Sequence, residues 1–173
     1  MALRDFLATY ALPIGVGLGL LWAWARKRQM SRTGRPVDTN DPIWLGAIAA
    51  AKASRDEMVR LHSQYGSELF VKYPLRAKNG ELEHVWGPLL ESTDDSMKVG
   101  LATPPVGGLD NEPPFVLAPH DLEDWQLVLP DGAIRGGFTT QAQIAITKRA
   151  GWPVPQHVQD MERKFVDVLR VAT

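Results

Sequence analysis

The stretch that decides the fold is ELFVKYPLRAKNGELEHVWGPLLE, residues 68–91. In residues 68–75 apolar side chains recur at every second position, which is the period of a β-strand. Asn79-Gly80 predicts a two-residue hairpin turn, because these residues adopt positive φ angles at little cost. Residues 81–91 supply the returning strand. The sequence therefore predicts a β-hairpin at the centre of a folded domain.

Four further strands are predicted on the C-terminal side of this hairpin. They are separated by turns and by a proline-rich loop at residues 103–114, and they cover residues 97–102, 115–117, 125–129 and 133–138. Consecutive strands joined by short connections favour an antiparallel meander.

A helix is predicted immediately before the hairpin. Asn40 or Asp41 can cap it, and Pro42 suits its first turn. Apolar residues at three- and four-residue spacing carry the helix to about Tyr65, where Gly66 is a plausible stop.

Two more helices are predicted after the last strand. The first covers residues 139–149, with Thr139 or Thr140 as its cap. A later apolar stripe predicts an amphipathic helix within residues 150–173, and it consists of Val158, Met161, Phe165, Val168 and Ala172. The predicted fold class is therefore α+β, with a helix packed on a curved antiparallel sheet in residues 43–149.

The N-terminal segment is predicted to be a membrane anchor. Residues 6–25 read FLATYALPIGVGLGLLWAWA and carry no charge, and a helix of that length spans about 30 Å, the hydrocarbon thickness of a bilayer. Trp22 and Trp24 lie near its end, where interfacial aromatic residues are frequent. We expect residues 1–28 to form a transmembrane anchor and residues 29–42 a basic and polar linker.

The charge distribution predicts the orientation of that anchor. Of the chain's 19 basic and 20 acidic residues, six basic and two acidic fall in residues 1–40, which leaves 13 basic and 18 acidic after them. Five of the six N-terminal basic residues follow the span. The positive-inside rule then places the N-terminus outside and the domain in the cytoplasm, in a single-pass protein of the inner membrane.

Cleavage of the same segment as a signal peptide is the alternative. Residues 23–25 read AWA, which has the small-x-small form of a cleavage site, and cleavage there would release an exported soluble protein. The basic residues 26–28 (RKR) resist export and favour a retained anchor.

Gly15 and Gly19 form a small-residue face on the predicted span, with Trp22 and Trp24 near its end. Such a face lets another membrane helix approach closely. We name these four residues as the candidate membrane-helix contact. The predicted partners are membrane lipid, an integral-membrane protein or complex, and a second copy of the chain through the glycine face.

The composition excludes several classes of site and partner. The chain has no cysteine, so it has no disulfide, no cysteine-ligated zinc or iron–sulfur cluster and no cysteine nucleophile. Its formal net charge of −1 gives no reason to expect a nucleic-acid partner.

Four short motifs, in order and spacing, resemble those of a known family. They are Glu83-His84-Val85-Trp86, Gly100-Leu101 followed by Pro104, Asp124-Trp125, and Gly136-Gly137-Phe138-Thr139. Over about residues 44–147 the chain thereby resembles the YegJ-like bacterial family, a domain of unknown function catalogued as DUF2314. The resemblance implies a single helix followed by a curved antiparallel sheet, and it implies no biochemical activity. Gly87-Pro88 departs from the family, which tends to continue an apolar strand there, so we expect the strand to bend or end.

His84 is the first candidate for chemistry, because it stands beside Glu83. Neighbouring residues on a strand point to opposite faces, so the two side chains are not expected to act as a pair. Trp86 shares the face of His84, and its expected role is packing on the sheet.

The second candidate is residues 120–124 (HDLED), which place a histidine and three carboxylates within five positions. The spacing matches no calcium-binding loop, and Asp124 is expected to cap the turn before Trp125. Gly136-Gly137 matches no phosphate-binding pattern and predicts a bulge or a close backbone approach. We therefore assign no catalytic residue, no cofactor and no metal site.

Trp44, Trp152 and Phe165 form the candidate partner surface, because exposed aromatic residues favour protein contacts. We expect a membrane-anchored, non-catalytic protein whose cytoplasmic domain binds or braces a partner, as an accessory subunit of a multisubunit membrane complex. The alternative is a membrane-associated enzyme or ligand-binding domain that uses His84 or residues 120–124.

Overall fold

The computed structural model describes residues 38–169, which form an α+β domain as predicted. Its helices are α1 (Pro42–Ala53), α2 (Arg55–Tyr65), α3 (Phe138–Arg149) and α4 (Gln156–Glu162). Its strands are β1 (Phe70–Arg76), β2 (Leu82–Ser92), β3 (Met97–Val99), β4 (Phe115–Leu117), β5 (Asp124–Val128) and β6 (Ile134–Gly136).

The predicted anchor lies outside the described residues, and with it the candidate contact of Gly15, Gly19, Trp22 and Trp24. Within residues 38–169 no helix has both the length and the apolar character needed to cross a bilayer.

The six strands form one sheet in the order β4-β3-β2-β1-β5-β6, and every neighbouring pair is antiparallel. The predicted meander is wrong at one connection, because β5 does not add beside β4 and returns instead to the second edge of β1. There Phe70 pairs with Gln126 and Lys72 pairs with Asp124. This pairing gives the central strand partners for backbone groups that would otherwise be buried without hydrogen bonds.

The hairpin between β1 and β2 is confirmed, but its turn is longer than predicted. The Ala77 amide donates to the Glu81 carbonyl and the Gly80 amide donates to the Ala77 carbonyl, which leaves residues 78–80 in the loop. Gly80 has a positive φ of 87°, whereas no described residue other than glycine does. Asn79 therefore acts through its side chain, whose Oδ1 accepts from the Glu81 amide. The connection is a three-residue hairpin loop with a glycine bulge.

Strand β2 runs through Gly87-Pro88 without ending, and its register shifts later, between Leu89 and Glu91. The strand therefore does not end at residues 87–88, and its irregularity lies closer to the end of the strand. Gly87 is required for a different reason. A Cβ there would collide with the Gly100 backbone carbonyl, which passes directly beside β2.

The predicted single helix from Pro42 to Tyr65 is interrupted at Ser54. The Ser54 hydroxyl donates to the Ala51 carbonyl, and such back-bonding competes with the helical ladder. The predicted start is confirmed, because the Asp41 side chain accepts from the Ile43 amide and Pro42 occupies the first turn.

The predicted C-terminal helix is wrong beyond Glu162, where α4 ends. The following segment is extended at Phe165, which forms a parallel bridge with Ile134 of β6. The residues of the apolar stripe that predicts one helix therefore lie in two different elements. Val158 and Met161 are on α4, whereas Phe165 is in the extended segment, and all three pack on Ile134 and Ile144.

Replacing Gly87 with Ala is expected to lower the free energy of unfolding by about 1–3 kcal/mol or more, because the neighbouring atom is backbone and cannot rotate away. Gly46, in the exposed middle of α1, is the matched control, since a Cβ added there would have no other atom within 4 Å. Gly46→Ala should raise the free energy of unfolding by about 1 kcal/mol through helix propensity. Urea denaturation of the two variants measures both changes. An unchanged midpoint for Gly87→Ala would contradict the close approach.

Candidate functional site

Asp124 is the most deeply buried charged residue in the described part of the chain, with no exposed surface. Its Oδ1 accepts from the amides of Trp125 at 2.8 Å and Phe138 at 3.1 Å. Its Oδ2 accepts from the amide and the hydroxyl of Thr139, both at 2.7 Å. The carboxylate thus satisfies amides at the start of α3 from outside the helix, where a negative charge is also favoured by the helix dipole.

This geometry corrects two predictions about the same residues. Thr139 and Thr140 do not cap α3, because the N-cap residue is Gly137 and Thr139 lies within the helix. Asp124 is predicted to cap the turn before Trp125. Its main contacts are instead with the start of α3, which is 14 residues away along the chain.

Lys72 lies beside Asp124 on the same face of the sheet. The strand register places Lys72 opposite Asp124 on one side and opposite Trp86 on the other, so the three side chains share a face. The Lys72 Nζ lies 4.3 Å from the centre of the Trp44 ring, a cation–π contact in a site where the lysine is only 8% exposed. Trp86 is half-buried on this face, whereas Val85 on the other face is buried.

Burial changes the acidity of both charged groups in this cluster. It raises the pKa of the Asp124 carboxyl from 3.8 to about 6, against the hydrogen bonds from Thr139 and Trp125 and the charge of Lys72. Burial also lowers the pKa of the Lys72 ammonium, and the negative charges of Glu123 and Asp124 oppose that shift. For each group, desolvation outweighs the attraction between the two charges.

Glu123 and His84 form the outer part of this cluster. The His84 Nδ1 lies 2.7 and 2.8 Å from the two carboxylate oxygens of Glu123, so the imidazole is oriented by the acid. The Glu123 amide donates to the Lys72 carbonyl, which holds the acid beside β1. The structure therefore brings together members of two motifs that lie far apart in the sequence.

Glu83 points to the other face, as predicted, and it has a partner there. Its carboxylate accepts from the amides of Val106 at 2.9 Å and Gly107 at 2.7 Å, both in the proline-rich loop. The Lys78 amide also donates to the Gly108 carbonyl. The tip of the long loop is thus fixed to the β1–β2 hairpin, and Val106 at that tip is 98% exposed.

The remaining residues of the 120–124 segment do not converge on a common site. His120 is exposed, and Asp121 accepts from the Ala118 amide at 3.1 Å. Glu123 bonds to His84, and Asp124 faces α3. Within residues 38–169 no group of three or more histidine or acidic side chains is arranged to hold a metal ion.

Gly136 and Gly137 confirm the predicted close approach. Both have positive φ angles, of 69° and 70°. A Cβ on Gly136 would collide with the Trp125 carbonyl, and one on Gly137 would lie 2.6 Å from the Phe165 ring. Trp125 itself is fully buried, and its indole nitrogen donates to the Ser54 hydroxyl at 2.8 Å.

The candidate partner surface of Trp44, Trp152 and Phe165 is not a single exposed patch. Trp44 is buried against Lys72, and Phe165 is buried beside Ile134 and Ile144. Aromatic side chains contribute more by burial in the core than they would at the surface, and the sequence pattern does not distinguish the two. Trp152 is 41% exposed.

Comparison with known proteins gives no assignment, since no family model, no curated protein and no solved structure matches the chain. Membership of the YegJ-like family stays a prediction that rests on the four motifs.

Three features of this site were not identified from the sequence. Lys72 is the one charged residue between Phe70 and Leu75, and that isolated charge was the available signal. The role of Thr139 as a donor to Asp124, and the role of Glu83 in fixing the long loop, depend on contacts between residues 15 and 23 positions apart. Local pattern does not reveal such contacts.

The raised pKa of Asp124 predicts a pH dependence of stability. A carboxyl whose folded-state pKa exceeds its unfolded value stabilises the fold most below the unfolded value, and that contribution is lost as pH rises through the folded value. Between pH 3.8 and about 6, the free energy of unfolding of the wild type should therefore fall with rising pH relative to Asp124→Asn. Chemical denaturation at several pH values measures this difference in slope.

The comparison needs a control, because Asp124→Asn also loses hydrogen bonds and should be less stable at every pH. Thr139→Val also loses a hydrogen bond to Asp124 but keeps the Asp124 carboxyl. The free energy of unfolding of Thr139→Val should still fall with rising pH relative to Asp124→Asn. A wild-type slope in Asp124→Asn would mean that Asp124 does not titrate in this range.

Proposed function

We propose that this protein is a single-pass, membrane-anchored and non-catalytic subunit whose cytoplasmic domain binds or braces a partner protein in a membrane complex. The observation that carries the proposal is the turn at residues 105–108. Its tip exposes an apolar side chain on a backbone that the rest of the domain holds in place.

Several hydrogen bonds fix this turn before any partner binds. The Glu83 carboxylate holds two successive amides, and the Gly108 amide donates to the Pro105 carbonyl across the turn. A preorganised backbone reduces the conformational entropy that binding removes. Val106 at the tip is almost fully exposed, so an apolar contact is available beside the anchoring acid.

The acidic side chains near the motifs support the same proposal through their partners. Asp124 holds the start of α3, Glu83 holds the loop and Asp121 holds the Ala118 amide. These carboxylates accept hydrogen bonds from the domain's own backbone amides. The membrane part of the proposal rests on the uncharged segment 6–25 and on the basic residues that follow it.

Purification of the full-length protein from membranes solubilised in mild detergent tests the proposal, with quantitative mass spectrometry of the retained proteins. A defined integral-membrane complex should be recovered in stoichiometric amount with the wild type. Val106→Asp should reduce that recovery several-fold, because it places a charge in the proposed apolar contact.

Val116→Asp is the matched control, since Val116 is also an exposed valine, at 73%, but lies on the edge strand β4. It should retain the complex. Thermal unfolding of both variants shows whether the domain is intact. Recovery of the wild type without a partner, or equal retention by both variants, would contradict the proposal.

A second function is favoured by the oriented His84–Glu123 pair. A carboxylate that holds Nδ1 of a histidine leaves Nε2 directed elsewhere, and this is the arrangement of a general base. A small molecule that raises the thermal stability of the wild type but not of His84→Gln would favour this ligand-binding or catalytic role.

A further inference from the structure

A cavity of about 400 Å³ lies between the end of the β1–β2 hairpin and the loop that precedes β4, and it is here called the hairpin cavity. Its volume is within the range of about 300–1,000 Å³ that is usual for small-molecule sites. The hairpin contributes residues 75–78 and Gly80 to its lining, and the other side consists of residues 109–111 and Phe115.

The apolar part of the cavity is formed by Leu75, Leu109 and Phe115, each of which is partly buried. The centre of the Phe115 ring lies 6.4 Å from that of the Tyr73 ring, and the Tyr73 hydroxyl donates to the Gly100 carbonyl at 2.8 Å. This aromatic pair holds the Phe115 ring in place. The cavity therefore offers a fixed apolar surface to the body of a ligand.

Two basic side chains line the same cavity, those of Arg76 and Lys78. The Arg76 Nη1 donates to the Gly80 carbonyl at 2.8 Å, which orients the guanidinium and leaves it further N–H donors. Within residues 38–169 neither side chain forms an ion pair with an acidic residue. The chain after residue 40 has 18 acidic and 13 basic residues, so an overall basic surface does not explain two neighbouring cations without acidic partners.

Backbone hydrogen bonds hold the two sides of the cavity together before any ligand binds. The Lys78 amide donates to the Gly108 carbonyl at 3.0 Å, and the Gly108 amide donates to the Pro105 carbonyl at 3.2 Å. The Ala77 amide donates to the Glu81 carbonyl at 2.8 Å and closes the hairpin. A preformed site loses less conformational entropy on binding than a site that the ligand must order.

We propose that the hairpin cavity binds a small organic anion that carries one carboxylate on an apolar body. The Arg76 guanidinium binds the carboxylate, because its planar donors match the two carboxylate oxygens, and the Lys78 ammonium lies on the same side of the ligand. The apolar body packs on Phe115 and the two leucines. Asp110 also lines the cavity and disfavours a second negative charge on the ligand.

Amide chemical shifts of the nitrogen-labelled, full-length protein in lipid nanodiscs test this site, with phenylacetate as the probe. The amides of Lys78, Gly80 and Asn111 should shift saturably, because these residues line the cavity. Acetate should bind several-fold more weakly, because it lacks the apolar body. Phenylacetamide lacks the charge and sulfate carries a second one, so both should also bind several-fold more weakly than phenylacetate.

Arg76→Gln should raise the dissociation constant for phenylacetate about tenfold, since it removes a hydrogen bond between charged groups. Lys78→Gln should raise it several-fold, and it tests the site through an exposed side chain if Arg76→Gln alters the hairpin. Arg60→Gln is the matched control, because Arg60 is an exposed arginine of α2 that does not line the cavity. It removes the same charge and should leave the dissociation constant unchanged. Amide shifts outside the cavity show whether each variant is folded.

His84→Gln distinguishes this site from the His84–Glu123 pair, since neither residue of that pair lines the cavity. This variant should bind phenylacetate as tightly as the wild type. The proposal is overturned if the lining amides do not shift, or if phenylacetamide, acetate or sulfate binds as tightly as phenylacetate. It is also overturned if Arg60→Gln or His84→Gln weakens binding as much as Arg76→Gln. None of these results depends on recovery of a membrane partner, so this proposal and the proposed function fail separately.

Discussion

The hydrogen bonding of the buried Asp124 carboxylate is the constraint on which the rest of the domain depends. Taking an ionised carboxylate out of water costs several kcal/mol unless fixed donors and charges replace the lost hydration. Here the donors are amides at the start of α3 and the Thr139 hydroxyl, with Lys72 alongside. They surround the carboxylate only when β1, β5 and α3 are all in place. The chain reaches this arrangement through Gly136-Gly137, because the turn from β6 into α3 passes against Trp125, where a side chain would collide.

The same physical solution recurs at the periphery of the domain. Glu83 accepts from two loop amides, Asp121 accepts from the Ala118 amide and Asp167 accepts from the Gly136 amide. Each of these carboxylates satisfies backbone N–H groups that lack a partner in a helix or strand. The acidic surplus of the chain after residue 40 is therefore partly structural. These acidic side chains fix irregular segments to the sheet.

The sequence predicts the local elements of this fold well and their long-range assembly less well. The hairpin, the start of α1 at Asp41 and Pro42, and the close approach at Gly136-Gly137 follow from short-range rules on alternation, capping and positive φ. The return of β5 to β1 does not follow from such short-range rules. The edge that β5 joins depends on which backbone groups the assembled sheet leaves unpaired. The C-terminal stripe is the clearest case. Apolar spacing alone fits a helix. In the structure Phe165 packs against Ile134 and lies in an extended segment after Glu162.

The same contrast between local elements and long-range contacts explains why the sequence alone does not show what the candidate chemical residues do. His84, Glu123 and Asp124 belong to motifs that suggest catalysis or metal binding, but their roles are set by partners 14 to 39 positions away. A surface that is available for contact with another molecule is the turn that Glu83 fixes, which presents the exposed Val106 side chain. A domain that uses its acids to preorganise surfaces in this way is suited to binding, because the ordering entropy of those surfaces is lost on folding and is not lost again when a partner arrives.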